Sequence, residues 1–193
     1  MKFIRFVLYL FIIPHYFLYL LSSLETKNLI NSDIQEMNRR LKINKSLFYY
    51  LLVQKPYRNL FYYRITTNKN KIFVKFLKLF ISEYPLFRIT AKYIGPYAYV
   101  LNHPYATTIN ANTIGSNFTL CHLTTLGNKK HGRNDLVPTI GNNVSLGVNV
   151  TIIGDVKIGN NVVVGAGSVV VSDIPDNCVV VGNPAKIIRK VSE

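Results

Sequence analysis

Acidic residues and cysteines are what this sequence has least of. Nine Asp and Glu stand against 23 Lys and Arg in 193 residues, a formal net charge of +14. The two cysteines, Cys121 and Cys178, are too few for a disulfide framework and lack the spacing of a metal site. That usage points to a reducing compartment. Residues 6–24 contain no Asp, Glu, Lys or Arg. Aromatic residues are nearly missing from the second half, since 23 of the 24 Phe and Tyr lie at or before Tyr105 and Phe118 is the exception. With 49% hydrophobic and 17% charged residues, a packed core is expected and wholesale disorder is excluded.

The charge is as unevenly spread as the aromatics. Residues 1–93 carry 16 Lys and Arg against 4 acids, and residues 94–193 carry 7 against 5. Two chemically different regions are therefore expected: a basic, aromatic region over 1–93 and a Val/Ile/Gly/Asn/Thr-rich region over 94–193. Net charge alone does not argue for a nucleic-acid partner, because no recognised nucleic-acid motif accompanies it.

The second region repeats. In steps of six from Ile140 come Leu146, Ile152, Ile158, Val164 and Val170. Four residues after the first five of these stand Val144, Val150, Val156, Val162 and Ser168, and glycine often follows directly, as at Gly141, Gly147, Gly159 and Gly165. Ile114, Leu120 and Leu126 carry the period upstream, with Gly115 and Gly127 in the next place. A helix needs apolar residues at intervals of three and four, and an exposed strand at intervals of two, so a strict six fits neither. It fits a chain that turns a corner every six residues and points one aliphatic side chain inward from each flat side. Three sides make a triangular coil of 18 residues. Asn and Gly suit the corners because they tolerate left-handed backbone angles, and Gly-Asn-Asn occurs at both 141–143 and 159–161.

This pattern resembles the hexapeptide-repeat acyltransferases, which implies a mainly β fold: a left-handed parallel β-helix preceded by an α-helical region. Residues 158–188, IGNNVVVGAGSVVVSDIPDNCVVVGNPAKII, look like the closing coils and tail of the serine acetyltransferase-like branch, which includes sugar O-acetyltransferases of surface-polysaccharide clusters. Residues 55–65, KPYRNLFYYRI, look like the helical lead-in of the polysaccharide-type members. The resemblance implies acetyl-CoA as co-substrate, no metal, and a homotrimer with active sites between subunits. It points to a sugar acceptor, with serine as the alternative.

It also implies roles for particular residues. Relatives carry a catalytic histidine in a short Leu-Asp-His or Gln-His stretch; Leu101, Asn102 and His103 match it here, ahead of Thr125, Leu126 and Gly127. A hydroxyl has a very high pKa, so its proton must leave as the oxygen attacks, and a neutral imidazole is a suitable acceptor near pH 7. A histidine before proline is also driven to extended geometry, so shaping a bend is the competing role for His103. His122 stands where relatives often have Gln. His131, Lys130 and Arg133 sit in an insertion, residues 127–139, that breaks the sixfold register and that relatives extend over the active site. Gly147, Gly165, Ala166 and Gly167 are expected to border the pantetheine arm, and Lys186 and Arg189 to meet its nucleotide phosphates. Serine acetyltransferases have an Asp before the base, another about one coil upstream, and a second histidine before the proline that ends the loop. Asn102, Arg88 and Val137 occupy those places here, with Asp135 and His131 as possible substitutes.

In the first region, Ser32 with Gln35 reads as a capping box that opens a helix. Residues 46–65 and 71–82 have helical spacing and are expected to cover the open end of the first coil. Residues 6–24 approach membrane-spanning length, yet no small-x-small cleavage site follows, and Pro14 and His15 weaken a straight span. A span with Lys2 and Arg5 inside would also carry the second region away from cytosolic acetyl-CoA. A helix lying in the inner membrane interface, with the protein otherwise cytoplasmic, is expected; burial within the oligomer is the alternative. Two rival functions remain at this stage. A metal-dependent carbonic anhydrase on the same architecture needs three converging imidazoles, and the intervals between His103, His122 and His131 do not match its family. A non-catalytic scaffold is the other.

Overall fold

The computed structural model describes residues 2–67, 69–100, 104–130 and 135–191, with side chains from residue 10 onward. The chain divides into two compact units, residues 1–85 and 86–193. The division falls earlier than the change in composition at 93/94, because the first strand, at Phe87, already belongs to the second unit.

Five α-helices are described in the first unit: α1 (Lys2–Leu21), α2 (Leu24–Leu41), α3 (Leu47–Val53), α4 (Lys55–Ile65) and α5 (Lys71–Leu77). Ser32 does not cap a helix. It lies inside α2, where its hydroxyl donates to the Leu29 carbonyl at 2.8 Å. The cap is Ser23, whose side chain accepts from the Thr26 amide. Serine hydroxyls serve either role, and α2 is already under way from Leu24, eight residues before Ser32. At its other end, Lys42 adopts φ 53° and its amide bonds back to Arg39 and Asn38.

The core of this unit is built from Tyr50, Tyr57, Leu60, Phe61 and Tyr62 with Ile30 and Leu51, all 3% exposed or less. An ion pair runs through it. Arg64 Nε and a terminal nitrogen donate to the two Asp33 oxygens at 3.0 and 3.2 Å, with both side chains buried. Removing one partner of such a pair costs about 3–5 kcal/mol, because the other charge is left buried. On α1, Ile12, His15 and Leu18 recur every three residues and are buried, while Leu10, Ile13, Phe17, Leu20 and Leu21 are exposed. Pro14 lies within the helix. No helix among the described residues is long and apolar enough to cross a membrane.

The second unit is a parallel β-helix. Its strands are β1 (Phe87–Ile89), β2 (Tyr93–Ile94), β3 (Tyr99–Val100), β4 (Thr107–Ile109), β5 (Thr113–Ile114), β6 (Thr119–Leu120), β7 (Thr125–Gly127), β8 (Thr139–Ile140), β9 (Ser145–Leu146), β10 (Thr151–Ile153), β11 (Lys157–Ile158), β12 (Val163–Val164), β13 (Val169–Val170), β14 (Cys178–Gly182) and β15 (Ala185–Lys190). Every third strand stacks as far as β13, giving three faces ordered β1-β4-β7-β10-β13, β2-β5-β8-β11 and β3-β6-β9-β12, the last extended by β14 and β15. All pairs are parallel except the closing β14–β15 hairpin. Thr151 pairs with Val169, eighteen residues on, and Lys157 with Thr139, eighteen back.

The sixfold aliphatic positions are the core of this unit. Ile114, Leu120, Leu126, Ile140, Leu146, Ile152, Ile158, Val164 and Val170 are each 3% exposed or less. Each such side chain contributes about 1.5–3 kcal/mol on burial. Gly95, Gly115, Gly141 and Gly159 stack in one corner, where a Cβ on Gly141 would lie 2.7 Å from the Gly159 backbone. Beside them Asn117, Asn143, Asn161 and Asn177 all take left-handed φ values of 55–60°. Their side-chain amides form a ladder, each Nδ2 donating to the next Oδ1 at 2.8 Å.

His15 resolves to packing. Its Nδ1 donates to the Phe11 carbonyl at 2.9 Å, and the Tyr62 hydroxyl lies 2.7 Å from Nε2 and 2.6 Å from the Ile81 carbonyl. Burial holds its pKa below the ordinary histidine value. The unfolded chain therefore takes up a proton at a higher pH than the folded one, so this site costs stability as pH falls below about 6.5. Urea unfolding of wild type and His15→Gln at pH 7.5, 6 and 5 tests this. Wild type loses stability with falling pH that the variant does not, whereas parallel losses would contradict it.

Candidate active site

The turns that join the third face to the first stack into one column. Their described residues are 104–106, 121–124, 147–150 and 165–168. Backbone bonds tie successive turns together: Leu123 to the Tyr105 carbonyl (2.9 Å), Asn149 to His122 (3.1 Å) and Gly167 to Val148 (2.8 Å). One residue per turn takes a left-handed angle, namely Ala106, Leu123, Asn149 and Gly167.

Asn102 and His103 lie outside the described residues. Their chain neighbours are Val100, which ends β3, and the buried Pro104. This first turn is longer than the others. Tyr99 pairs with Thr119 twenty residues on, where the regular coils advance eighteen. His122 is half-exposed in the next turn and Gly147 opens the one after it. Gly165, Ala166 and Gly167 form the fourth, and the Gly165 amide bonds to the Val180 carbonyl. Lys186 pairs in register with Val181, whose side chain abuts Gly165, and Arg189 pairs with Val179; both cations are exposed on β15. Residues from His122 to Lys186 thus meet along one edge, while Arg189 lies further along the hairpin, nearer the start of β14.

The glycines have a packing reason of their own. A Cβ on Gly147 would come within 2.7 Å of the Ala166 amide nitrogen, and one on Gly165 within 2.5 Å of a Val181 methyl. Gly167 is different: its φ is +71° and nothing lies within 4 Å of where a Cβ would stand. Cys121, next to His122, has its thiol pushed up by burial, which keeps it protonated near neutral pH and a poor nucleophile.

The insertion occupies a different corner, between β7 and β8. It lengthens its coil, so that Thr125 pairs with Thr151, twenty-six residues on. Lys130 is exposed, and its carbonyl accepts from the Asn128 side chain. His131 and Arg133 lie outside the described residues. Val137 and Pro138, which end the loop, are buried. Among the described residues no group of three or more His, Cys, Asp or Glu could hold a metal ion.

A cavity of about 450 Å³ lies on the outer side of the first two coils. Arg88, Thr90, Lys92, Thr108, Asn110, Ala111 and Val137 line it. Apart from Arg88 and Val137, noted only as departures, none of these stands out in the sequence. The available signal was the outward alternation of Arg88, Thr90 and Lys92 at the first coil.

Residues 138–172 match the family described as bacterial transferase hexapeptide (six repeats). That segment of the chain carries this family's repeat. Among its relatives, this hexapeptide-repeat protein is 49% identical over 90 residues to the putative colanic acid biosynthesis acetyltransferase WcaB of Escherichia coli (strain K12), covering 46% of this chain and 55% of that one. It is 30% identical over 179 residues to the serine acetyltransferase of Buchnera aphidicola subsp. Acyrthosiphon pisum (strain APS), covering 88% and 65%. The crystal structure of Neisseria gonorrhoeae serine acetyltransferase (CysE) superposes with a TM-score of 0.74 at 28% identity, over 89% of this chain and 69% of that one. The chain spans little more than half the length of the WcaB relative.

Proposed function

We propose that the protein is an acetyl-CoA-dependent O-acetyltransferase that acetylates a sugar hydroxyl in bacterial surface-polysaccharide synthesis, with His103 as the general base. The observation that carries this reading is the column of turns. In the chain His103 directly precedes Pro104 in the irregular first turn, whose Tyr105 carbonyl accepts from Leu123 beside His122, and the Gly147 and Gly165–Gly167 turns stack on from there. The sugar acceptor is supported by the 49% identity to a putative colanic acid acetyltransferase. Serine O-acetylation is the second reading, favoured by the serine acetyltransferase structures. Asn102, Arg88 and Val137 argue against it, since none supplies a carboxylate or an imidazole.

Acetyl-CoA supplies the acetyl group as a thioester. The exposed Ala166 and the open space at Gly167 fit an extended arm lying against this edge. Lys186 and Arg189 fit its phosphates, through charge-assisted hydrogen bonds. His103 takes the hydroxyl proton as the acceptor oxygen attacks, and returns it to the departing sulfur, so ester and thiol form without a covalent enzyme intermediate. The protonated Cys121 thiol is consistent with direct transfer. Lys130, His131, Arg133 and His122 are assigned to the acceptor side.

The same reading includes a homotrimer with sites between subunits. It also makes the protein cytoplasmic, with the exposed apolar side of α1 against the inner membrane surface. Sedimentation of the full chain with and without anionic vesicles reads both, with a trimer mass expected alone and co-sedimentation expected with lipid. A monomer, or no vesicle binding, contradicts the corresponding part. For catalysis, His103→Ala is expected to fold and assemble as wild type while turnover falls about 10²–10⁴-fold. Near-wild-type turnover in that variant would end the assignment.

A further inference from the structure

We infer that the cavity on the first two coils is an anion subsite of the acceptor pocket, taking a phosphate or carboxylate carried by a hydroxyl-rich substrate. The inference rests on the O-acetyltransferase reading for the acceptor role, and on the cavity's own chemistry for the anion. Arg88 and Thr108 are register partners on β1 and β4. Phe87 and Ile109 beside them are buried inward, so strand alternation turns Arg88 and Thr108 outward into the cavity. Lys92 joins from the following corner, where its Nζ donates to Asn112 Oδ1 at 2.9 Å and keeps two N–H groups for another acceptor. Thr90 and Asn110 complete a lining of hydroxyl and amide groups.

None of the residues lining the cavity is a carboxylate. The chain carries no Asp or Glu between Glu83 and Asp135. Among the described residues neither Arg88 nor Lys92 forms an ion pair. A concave site lined by one sign of charge concentrates its field on whatever enters. The guanidinium adds a planar two-pronged donor suited to phosphate or carboxylate oxygens. The volume lies within the range of about 300–1,000 Å³ typical of small-molecule sites.

That chemistry also discriminates. The ammonium of a free amino acid would meet two cations and no carboxylate in the lining, and a neutral sugar would leave both cations unmatched. A sugar phosphate or uronic acid satisfies the cations with its anion and the Thr and Asn groups with its hydroxyls. β4, whose Thr108 lines the cavity, begins four residues after His103, so the subsite and the assigned base lie on one stretch of chain.

The test uses the full chain at low ionic strength, titrated calorimetrically with glucose 1-phosphate, glucuronate, glucose, inorganic phosphate and serine, first without acetyl-CoA. The anionic sugars are expected to bind at least about tenfold tighter than glucose or serine, and the tighter of the two distinguishes phosphate from carboxylate. Arg88→Gln/Lys92→Gln is expected to remove that preference and flatten its salt dependence, with the oligomer mass unchanged. Equal binding of glucose and the anionic sugars overturns the subsite, as does a preference that survives in the double variant or an altered oligomer mass there. Adding acetyl-CoA separates the two readings. Transfer to neutral sugars without anion preference sinks the subsite and leaves the transferase standing. Anion binding with no transfer to any acceptor overturns the acceptor role together with the transferase.

Discussion

Residues 86–193 depend on one constraint, the direct stacking of each coil on the next. At the glycine corner the backbones approach so closely that even a methyl group would meet carbonyl atoms, 2.7 Å away at Gly95 and Gly141. Inside, the same stacking demands one aliphatic side chain per face, and in the glycine corner itself it aligns side-chain amides into a ladder. The sixfold period in the sequence is that packing demand written out residue by residue.

Regular stacking makes the departures informative. The coil that includes 101–106 is longer than eighteen residues, as is the one holding the 128–138 loop. The first departure carries His103, and the second ends at Val137, which lines the cationic cavity. A repeat needs neither insertion for its core, so their presence calls for another reason. An acceptor site served by both is the reason proposed here.

The β-helix was legible because its signal is periodic and its inward positions tolerate only aliphatic residues. The edge that gathers His122, Gly147, Gly165–Gly167 and Lys186 followed from it, since stacking brings equivalent turns together. Gly147 and Gly165 carry a second meaning that the sequence could not separate, because contact with the next coil and contact with a ligand both favour glycine. Ser32 misled because a serine followed by Gln35 looks the same inside a helix as at its start; the first hydrogen-bonded turn, at Ser23, fixes the difference. The cavity escaped because Arg88 and Thr108 are twenty residues apart and become neighbours only through register. His103, Asn102, His131 and Arg133 fall outside the described residues, so their assignment rests on the turns and loop to which they belong.

The helical unit obeys different physics. An ion pair and a histidine–tyrosine contact lie within an aromatic core, while α1 leaves apolar side chains exposed. The proposed function turns on the acceptor, and two relatives of this chain are named as a putative colanic acid biosynthesis acetyltransferase and a serine acetyltransferase. Thiol release from acetyl-CoA, measured with serine and with a panel of nucleotide-linked and lipid-linked sugars, decides between them. Release that depends on a sugar and not on serine is expected, and turnover with serine alone would contradict it.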